Sequence, residues 1–351
     1  MGNQPFICEA EALPGLEPFV EGELRRRFRK QRLRLLPGGG PERVPFRYRD
    51  DPRDLLTLRT PVAVYLVRHF AIPRPRALLG HQNFHILLRQ IETVRDLHPS
   101  GAFRTFRFSA AGKESSVFTR LRDEIAEHTG LEYSPKEADL LLRVRPAMLR
   151  ADGWEVLIRL SPRPLSARTW RVCDWPGALN ATIAAAMVEL TRPRSRDRFL
   201  NLMCGSGTLL IERLLRQSAS RAVGCDIDQA ALSCAHENVS AAGLASSARF
   251  VQMNATRLEF PDGSFDALVA DLPWGQLVGS PEDNATLYPA VLAEAARVTV
   301  PGGRLVIITH AITLLEDVLR RYANRWALRQ VIRVFQGGLH PRIYVLERTE
   351  G

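Results

Sequence analysis

The sequence predicts an α/β protein: a seven-stranded, Rossmann-like parallel sheet in the C-terminal half, preceded by an α+β half. Three observations carry this. Between 199 and 346, short apolar runs alternate with amphipathic stretches, the signature of βαβ units. The last two apolar runs flank "QGGLHP" (336–341), whose paired glycines and proline supply the turn of a hairpin. The first half has a different texture and a different charge: residues 1–175 hold 30 Lys+Arg against 21 Asp+Glu, and residues 176–351 hold 18 against 17.

Taken in order, strands are expected at 198–203, 221–227, 248–254, 265–271 and 303–309, all parallel, with 329–335 and 342–348 forming the hairpin. Helices are expected at 208–218, 228–243, 285–299 and 311–324, where apolar residues recur at helical spacing. In the first half, "GLEPFVEGELRRRF" (15–28) reads as an amphipathic helix, and 54–72 combines a short helix with a strand. The alternating "FRTFRFSA" (103–110) reads as a strand, followed by a helix at 115–130 and strands at 138–149 and 154–161. "LPGGGPERVP" (36–45) is expected to be a flexible loop, and the proline-rich "PRPLSARTWRVCDWPG" (162–177) a linker between the halves.

Composition narrows the class. The chain of 351 residues is 45% hydrophobic and 25% charged, as globular proteins are, and is long enough for more than one core. It has no apolar run of the roughly 18 residues that a membrane span needs and no leader pattern at its start, so a cytoplasmic protein with no membrane association is expected. Cys8, Cys173, Cys204, Cys225 and Cys234 are odd in number and lack C-x-x-C spacing, which argues against a disulfide framework and against a metal site. The excess of about nine positive charges in the first half suggests a module that meets a polyanion. Of the 48 cations only Lys30, Lys113 and Lys136 are lysines, a bias that a GC-rich genome and phosphate recognition explain equally well.

The stretch "FLNLMCGSGTLLIE" (199–212) is a strand, a glycine turn and a helix start. Gly205 and Gly207 allow close backbone approach to a ligand at the strand's carboxyl end, with Cys204 and Ser206 between and beside them, and Thr208 can cap the next helix. Leu210 stands where a dinucleotide fingerprint needs its third glycine. About 20 residues on, Asp226, followed by Ile227, sits where a carboxylate accepts hydrogen bonds from ribose hydroxyls. Asp228 reads as a plain helix cap. Asn254 and Ala255 end the third strand, where such folds hold an adenine amino group. The three strand ends together describe a site for an adenosine-type cofactor, and S-adenosyl-L-methionine is favoured over NAD.

The fourth strand ends in "DLPWG" (271–275), a variant of the D/N-P-P-Y/F/W arrangement with Leu272 in place of the first proline. That arrangement serves methyl transfer to a planar exocyclic amine, whose lone pair is delocalised and which is therefore a poor nucleophile. Asp271 and the Leu272 carbonyl would accept the amine hydrogens, Pro273 would fix the turn, and Trp274 would stack on the base. A surface turn with a half-buried tryptophan is the bland alternative.

With these residues in view the chain resembles the THUMP-domain tRNA guanine-N2 methyltransferases of the TrmN kind. The resemblance rests on "FRTFRFSAAGKESSVFTRLRDEIAEHTGLEYSPKEADLLLRVR" with "WEVLIRLSPRPLSARTWRV", on "PGALNATIAAAMVELT" (176–191), on "LMCGSGTLLIE" with "DLPWG", and on the N-terminal "CEAEALPGLEPFVEGEL". It implies an N-terminal ferredoxin-like domain (1–65), a THUMP domain (66–165), a linker (166–178) and a class I, Rossmann-like methyltransferase domain of seven strands (179–351). It implies that Asn180, Ala181 and Thr182 flank the methionine end of the cofactor, that Gly205 to Thr208 form its glycine turn, and that Asp226 holds the ribose. Asn254, an aspartate more commonly, would lie at the adenine, and Asp271 to Trp274 would hold the guanine. A tRNA acceptor stem and 3′ end would be gripped by the basic half, with Arg104, Arg107, Lys113, Arg120, Arg143, Arg145, Arg168 and Arg171 as candidate phosphate contacts. The resemblance implies a monomer that needs no protein partner. Two rivals remain at this point: an N6-adenine methyltransferase acting on DNA or RNA, and an RNA-binding protein with an inactive transferase fold.

Overall fold

The computed structural model describes residues 5–274 and 280–350 and separates them into two compact units. One contains residues 5–12 and 17–166, the other 13–16 and 167–350. None of the described helices is long and apolar enough to cross a membrane.

The first unit is built on one eight-stranded sheet. Its strands are β1 (Phe6–Glu11), β2 (Leu33–Leu35), β3 (Arg43–Tyr48), β4 (Ala63–Phe70), β5 (Thr105–Ala110), β6 (Glu132–Tyr133), β7 (Leu140–Pro146) and β8 (Trp154–Arg159), in the order β2-β3-β1-β4-β8-β7-β5-β6. Helices α1 (Glu17–Arg27), α2 (His81–Arg95) and α3 (Ser116–Thr129) pack with it, contributing Leu24, Leu87, Ile91, Leu121 and Ile125 to a core that also holds Phe46, Phe106 and Phe108. The alternation that predicts β5 is realised in its burial: Phe106 and Phe108 are buried while Arg107 and Ser109 between and after them are not. The expected boundary at 65/66 falls within β4, which pairs with β1 on one side and β8 on the other. Part of the stretch expected as a flexible loop is ordered, because β3 begins at Arg43 and runs antiparallel to β1.

The second unit holds a seven-stranded sheet of β9 (Arg198–Leu202), β10 (Arg221–Asp226), β11 (Arg249–Gln252), β12 (Phe265–Asp271), β13 (Thr299–Thr309), β14 (Trp326–Arg333) and β15 (Arg342–Arg348), in the order β11-β10-β9-β12-β13-β15-β14. The first five are parallel, and β15 runs antiparallel between β13 and β14, as the hairpin reading requires. Helices α4 (Ala181–Leu190), α5 (Thr208–Arg216), α6 (Gln229–Ala241), α7 (Pro281–Val298) and α8 (Ile312–Arg321) connect and cover the strands. The central strands are continuous apolar runs because both faces are covered; Leu200, Val223, Leu268, Val269, Val306 and Ile307 are fully buried.

From residue 167 onward the expected linker is an ordered part of this unit. Trp170 is buried against Ile211 and Val239, and the Val172 and Cys173 N–H groups both donate to Asn238 Oδ1 at 2.9 Å. Contrary to the expectation from cysteine number and spacing, Cys173 and Cys234 form a disulfide, their Cα atoms 5.4 Å apart. A single bridge between residues 61 positions apart leaves no spacing signal in a sequence. Cys8, Cys204 and Cys225 are free and buried.

Candidate active site

The parallel strands of the second unit all end at one side of the sheet, and a cavity of about 650 Å³ opens there. Both strands that flank β9 end in an aspartate, Asp226 on β10 and Asp271 on β12, and both line the cavity. This crevice outside the carboxyl ends, where connections leave in opposite directions, is where open α/β sheets bind ligands.

The glycine turn after β9 forms one wall. Gly205 and Gly207 adopt left-handed backbone with φ of 50° and 81°. A Cβ at Gly207 would lie 3.2 Å from the Phe250 ring and 3.3 Å from Ala235, so this glycine is required by packing behind the turn, and it does not itself line the cavity. The Gly205 N–H donates to Asp226 Oδ2 at 2.8 Å, and the Asp228 N–H to Asp226 Oδ1 at 3.0 Å. One carboxylate thus locks the turn after β9 to the end of β10, while its remaining lone pairs are available to ligand hydroxyls. Asp228 caps α6, as expected, accepting from the Ala230 N–H at 2.8 Å. Ile227 is 65% exposed yet lines the cavity, giving a flat ligand an apolar surface. Asn254 and Ala255 lie beside it; Asn254 Oδ1 accepts from the Thr256 N–H at 2.9 Å and its hydroxyl at 2.8 Å.

A strap, residues 175–179, forms another wall, which the sequence reading did not identify. It is fastened by the Cys173–Cys234 bridge, by Asn238, whose Nδ2 donates to the carbonyls of Cys173 and Ser206, and by Arg171, whose Nη2 donates to the Leu179 carbonyl at 2.8 Å and Thr208 Oγ1 at 2.9 Å. Asn180 is the N-cap of α4, its Oδ1 accepting from the Thr182 N–H at 2.9 Å and the Thr182 hydroxyl at 2.6 Å. Ala181 and Thr182 are buried in α4 and do not line the cavity; Ala178 and Leu179, just before the cap, do. Residues 180–182 thus sit at the start of α4, directly after the cavity-lining Ala178 and Leu179.

The corner after β12, the strand next to β9, forms a further wall of the cavity. Asp271, Leu272, Pro273 and Trp274 all line the cavity, and Gly275 lies outside the described residues. The Trp274 indole N–H donates to Asp271 Oδ1 at 3.2 Å, leaving Oδ2 without a described partner. Desolvation by its apolar surroundings pushes the Asp271 carboxyl up to about 7, with the indole hydrogen bond pulling in the other direction. The Leu272 N–H joins the Ile308 carbonyl at 3.1 Å, extending the sheet by one residue. The Pro273 carbonyl accepts from Tyr288 Oη at 2.6 Å and Asn284 Nδ2 at 2.9 Å, and Tyr288 Oη meets Thr309 Oγ1 at 2.7 Å. Tyr288, Asn284 and Thr309 are almost completely buried, so the corner is held from α7 and the end of β13. Nothing in the sequence singled these three out, since each sits in an ordinary helix or strand pattern.

The candidate phosphate contacts divide. Arg104 and Arg120 are exposed, Arg107 is half-buried, and Lys113 is half-buried with Nζ 3.8 Å from Glu114. The other four are drawn into the protein. Arg145 bridges Glu9 and Glu155, both buried, at 2.6 and 3.1 Å; Arg143 pairs with Glu11 at 2.9 Å over the Tyr65 ring. Arg168 makes a buried pair with Glu212 at 2.8 Å, and Arg171 fastens the strap. Glu9, Glu155 and Glu212 are buried carboxylates that require a partner, and Arg145 and Arg168 supply it.

A glycine turn locked to an acidic strand end, with an Asp-Leu-Pro-Trp corner in the same crevice of a seven-stranded sheet with a terminal hairpin, defines a methyltransferase-type domain. Residues 168–342 match the family described as RMKL-like, methyltransferase domain, and this half of the chain belongs to it. Over its whole length the chain is similar to the tRNA (guanine(6)-N2)-methyltransferase of Thermus thermophilus, with 28% identity over 97% of this chain and 99% of that one. The crystal structure of TrmN from Thermus thermophilus superposes with a TM-score of 0.75 at 25% identity, covering 98% of this chain and 99% of the other. The tRNA (guanine(6)-N(2))-methyltransferase THUMP3 of Mus musculus is 29% identical over 62% of this chain, which spans 46% of that protein's length.

Proposed function

We propose that the protein is an S-adenosyl-L-methionine-dependent enzyme that methylates the exocyclic N2 of a guanosine in tRNA. The observation that carries this reading is that the Asp271–Trp274 corner lines the same cavity as Gly205 and Asp226. The residues present fit the cofactor: Asp226 offers acceptors to ribose hydroxyls, Ile227 an apolar surface to the adenine, Asn254 a polar edge beside it, and the glycine turn with Ala178 and Leu179 room for the amino-acid end. When bound, it supplies an electrophilic methyl group.

The chain's own residues do the rest. The guanine amine is a weak nucleophile, and Asp271 Oδ2 and the Leu272 carbonyl accept its hydrogens, orienting the lone pair away from them and into the cavity. As methylation makes the nitrogen acidic, Asp271 is placed to take the released proton, and a carboxyl pushed up to about 7 is matched to that task. Trp274, fixed by its N–H bond to Asp271, stacks on the base. Asn284 and Tyr288 hold the Pro273 carbonyl and so set the angle of the whole corner. We further infer that the target is position 6 of the acceptor stem and that the first unit, read as ferredoxin-like (1–65) and THUMP (66–165) segments, binds the tRNA acceptor and 3′ end through residues such as Arg104, Arg107, Lys113 and Arg120. The same reading takes the enzyme as a cytoplasmic monomer without a protein partner.

The test is to incubate the protein with unmodified tRNA and labelled cofactor, then digest and separate the nucleosides. Label in N2-methylguanosine is the expected result. Label in N6-methyladenosine would support the adenine rival, and cofactor binding without transfer to any RNA the inactive fold.

A further inference from the structure

Accepting hydrogens from an exocyclic amine does not by itself select guanine, because adenine N6 offers the same pair. The two bases differ along the rest of that edge. Moving away from the amine, guanine presents N1–H and then the O6 acceptor, whereas adenine, laid with its amine in the same place, presents bare N1 and then C2–H. A cavity that prefers guanine therefore needs a hydrogen-bond donor on the far side of the base from Asp271.

The polar side chains that line the cavity are mostly engaged within the protein. Thr208 Oγ1 takes the Arg171 hydrogen bond, Asp226 holds two backbone N–H groups, Asp228 caps α6, and the Trp274 indole N–H belongs to Asp271. Gln336 differs. Its Oε1 accepts from the Asn180 N–H at 3.4 Å, while among the described residues its Nε2 donates to nothing. Among the described residues Asn254 Nδ2 also has no partner, but the sheet order separates the two: Asn254 follows β11, three places from β12 beyond β10 and β9. Gln336 sits at the tip of the β14–β15 hairpin, whose register puts Arg342, at the start of β15, beside Thr309, at the end of β13. The tip therefore lies at the same end of the sheet as Asp271 and on its side of β9.

The tip is also preorganised. Gln336 N–H donates to the Leu339 carbonyl at 3.0 Å and Leu339 N–H to the Gln336 carbonyl at 2.9 Å, a closed turn made possible by left-handed Gly337 and Gly338. The Asn180 contact fixes which end of the amide is free, because turning the amide over would set its Nε2 against another donor. We propose that Gln336 is a specificity-determining residue whose Nε2 donates to guanine O6. The inference rests on the reading that Asp271 receives the guanine amine. An adenine in the same pose leaves this donor against C2–H, an unmet hydrogen bond that selects against it.

The test is a cycle between protein and substrate. tRNA transcripts carry either guanosine or 2-aminopurine at the nucleotide the wild type methylates; 2-aminopurine keeps the amine and lacks O6 and N1–H. Wild type should prefer guanosine in kcat/KM, and Q336A and Q336M should narrow that preference by about tenfold, through loss on guanosine alone. Unchanged cofactor affinity in both variants reports an intact cavity. A guanosine preference that stays at the wild-type ratio in both variants overturns the role of Gln336 while leaving the proposed reaction standing. Transfer by the wild type to an adenosine amine overturns both.

Discussion

Asp226 and Asp271 end the two strands on either side of β9, yet the structure uses the same side chain in opposite ways. Asp226 accepts two backbone N–H groups, at 2.8 and 3.0 Å, and so locks the glycine turn to the neighbouring strand. Asp271 receives one indole N–H at 3.2 Å in apolar surroundings that push its carboxyl up to about 7. A carboxylate surrounded by backbone donors is a fixed acceptor. One that is desolvated and half satisfied can exchange a proton. Position at a strand end is common to both; desolvation, against a single indole donor, is what raises the Asp271 carboxyl.

Substitutions should separate these roles. The largest effect on cofactor binding is expected from D226A, which removes two charge-assisted hydrogen bonds inside the cavity wall as well as the acceptors offered to the cofactor. Cofactor affinity measured by calorimetry should fall on the order of a hundredfold or more. W274A should leave that affinity unchanged and raise KM for tRNA roughly ten- to hundredfold, the worth of one stacked base. An effect of W274A on cofactor affinity would mean the two walls are not independent.

Smaller changes sharpen the contrast. W274F keeps a ring and removes the indole N–H, which holds the Asp271 carboxyl down, so the midpoint of the pH–rate profile should move upward. The same shift bears on stability. In the folded state Asp271 keeps its proton up to about 7, whereas in the unfolded chain it releases it near 3.8. Its contribution to folding is therefore lost as pH rises between those values, and D271N should flatten that part of the stability curve. Smallest of all, thiol titration of denatured, unreduced protein should find three reactive cysteines, the other two being joined beside the strap.

The second unit's sheet was legible because its strands are uninterrupted apolar runs between amphipathic helices, and the site because its chemistry falls at strand ends with turn-forming residues. Other parts carried no signal. α4, "ATIAAAMVEL", is buried on nearly all sides and so has no polar face to betray a helix. β1 alternates Cys8 and Ala10 with Glu9 and Glu11, and no local pattern shows that Arg145 and Arg143 lie across from those acids. The strap, Asn284, Tyr288 and Gln336 act through contacts between residues far apart in sequence, which no local pattern encodes. The arginines were misleading for the same reason: Arg145 and Arg168 look identical to Arg104 in the sequence, and only burial separates an ion-pair partner from a surface cation.

The central claim is that Asp271 faces the reacting amine and takes part in its proton chemistry. Single-turnover methyl transfer, followed from about pH 5 to 9 in wild type and D271N side by side, addresses it directly. The expected result is a wild-type rate that rises with pH through a midpoint near 7, and a D271N rate lower by roughly 10² to 10⁴ and without that rise, at undiminished cofactor affinity. A D271N enzyme that transfers methyl groups at the wild-type rate would contradict the account.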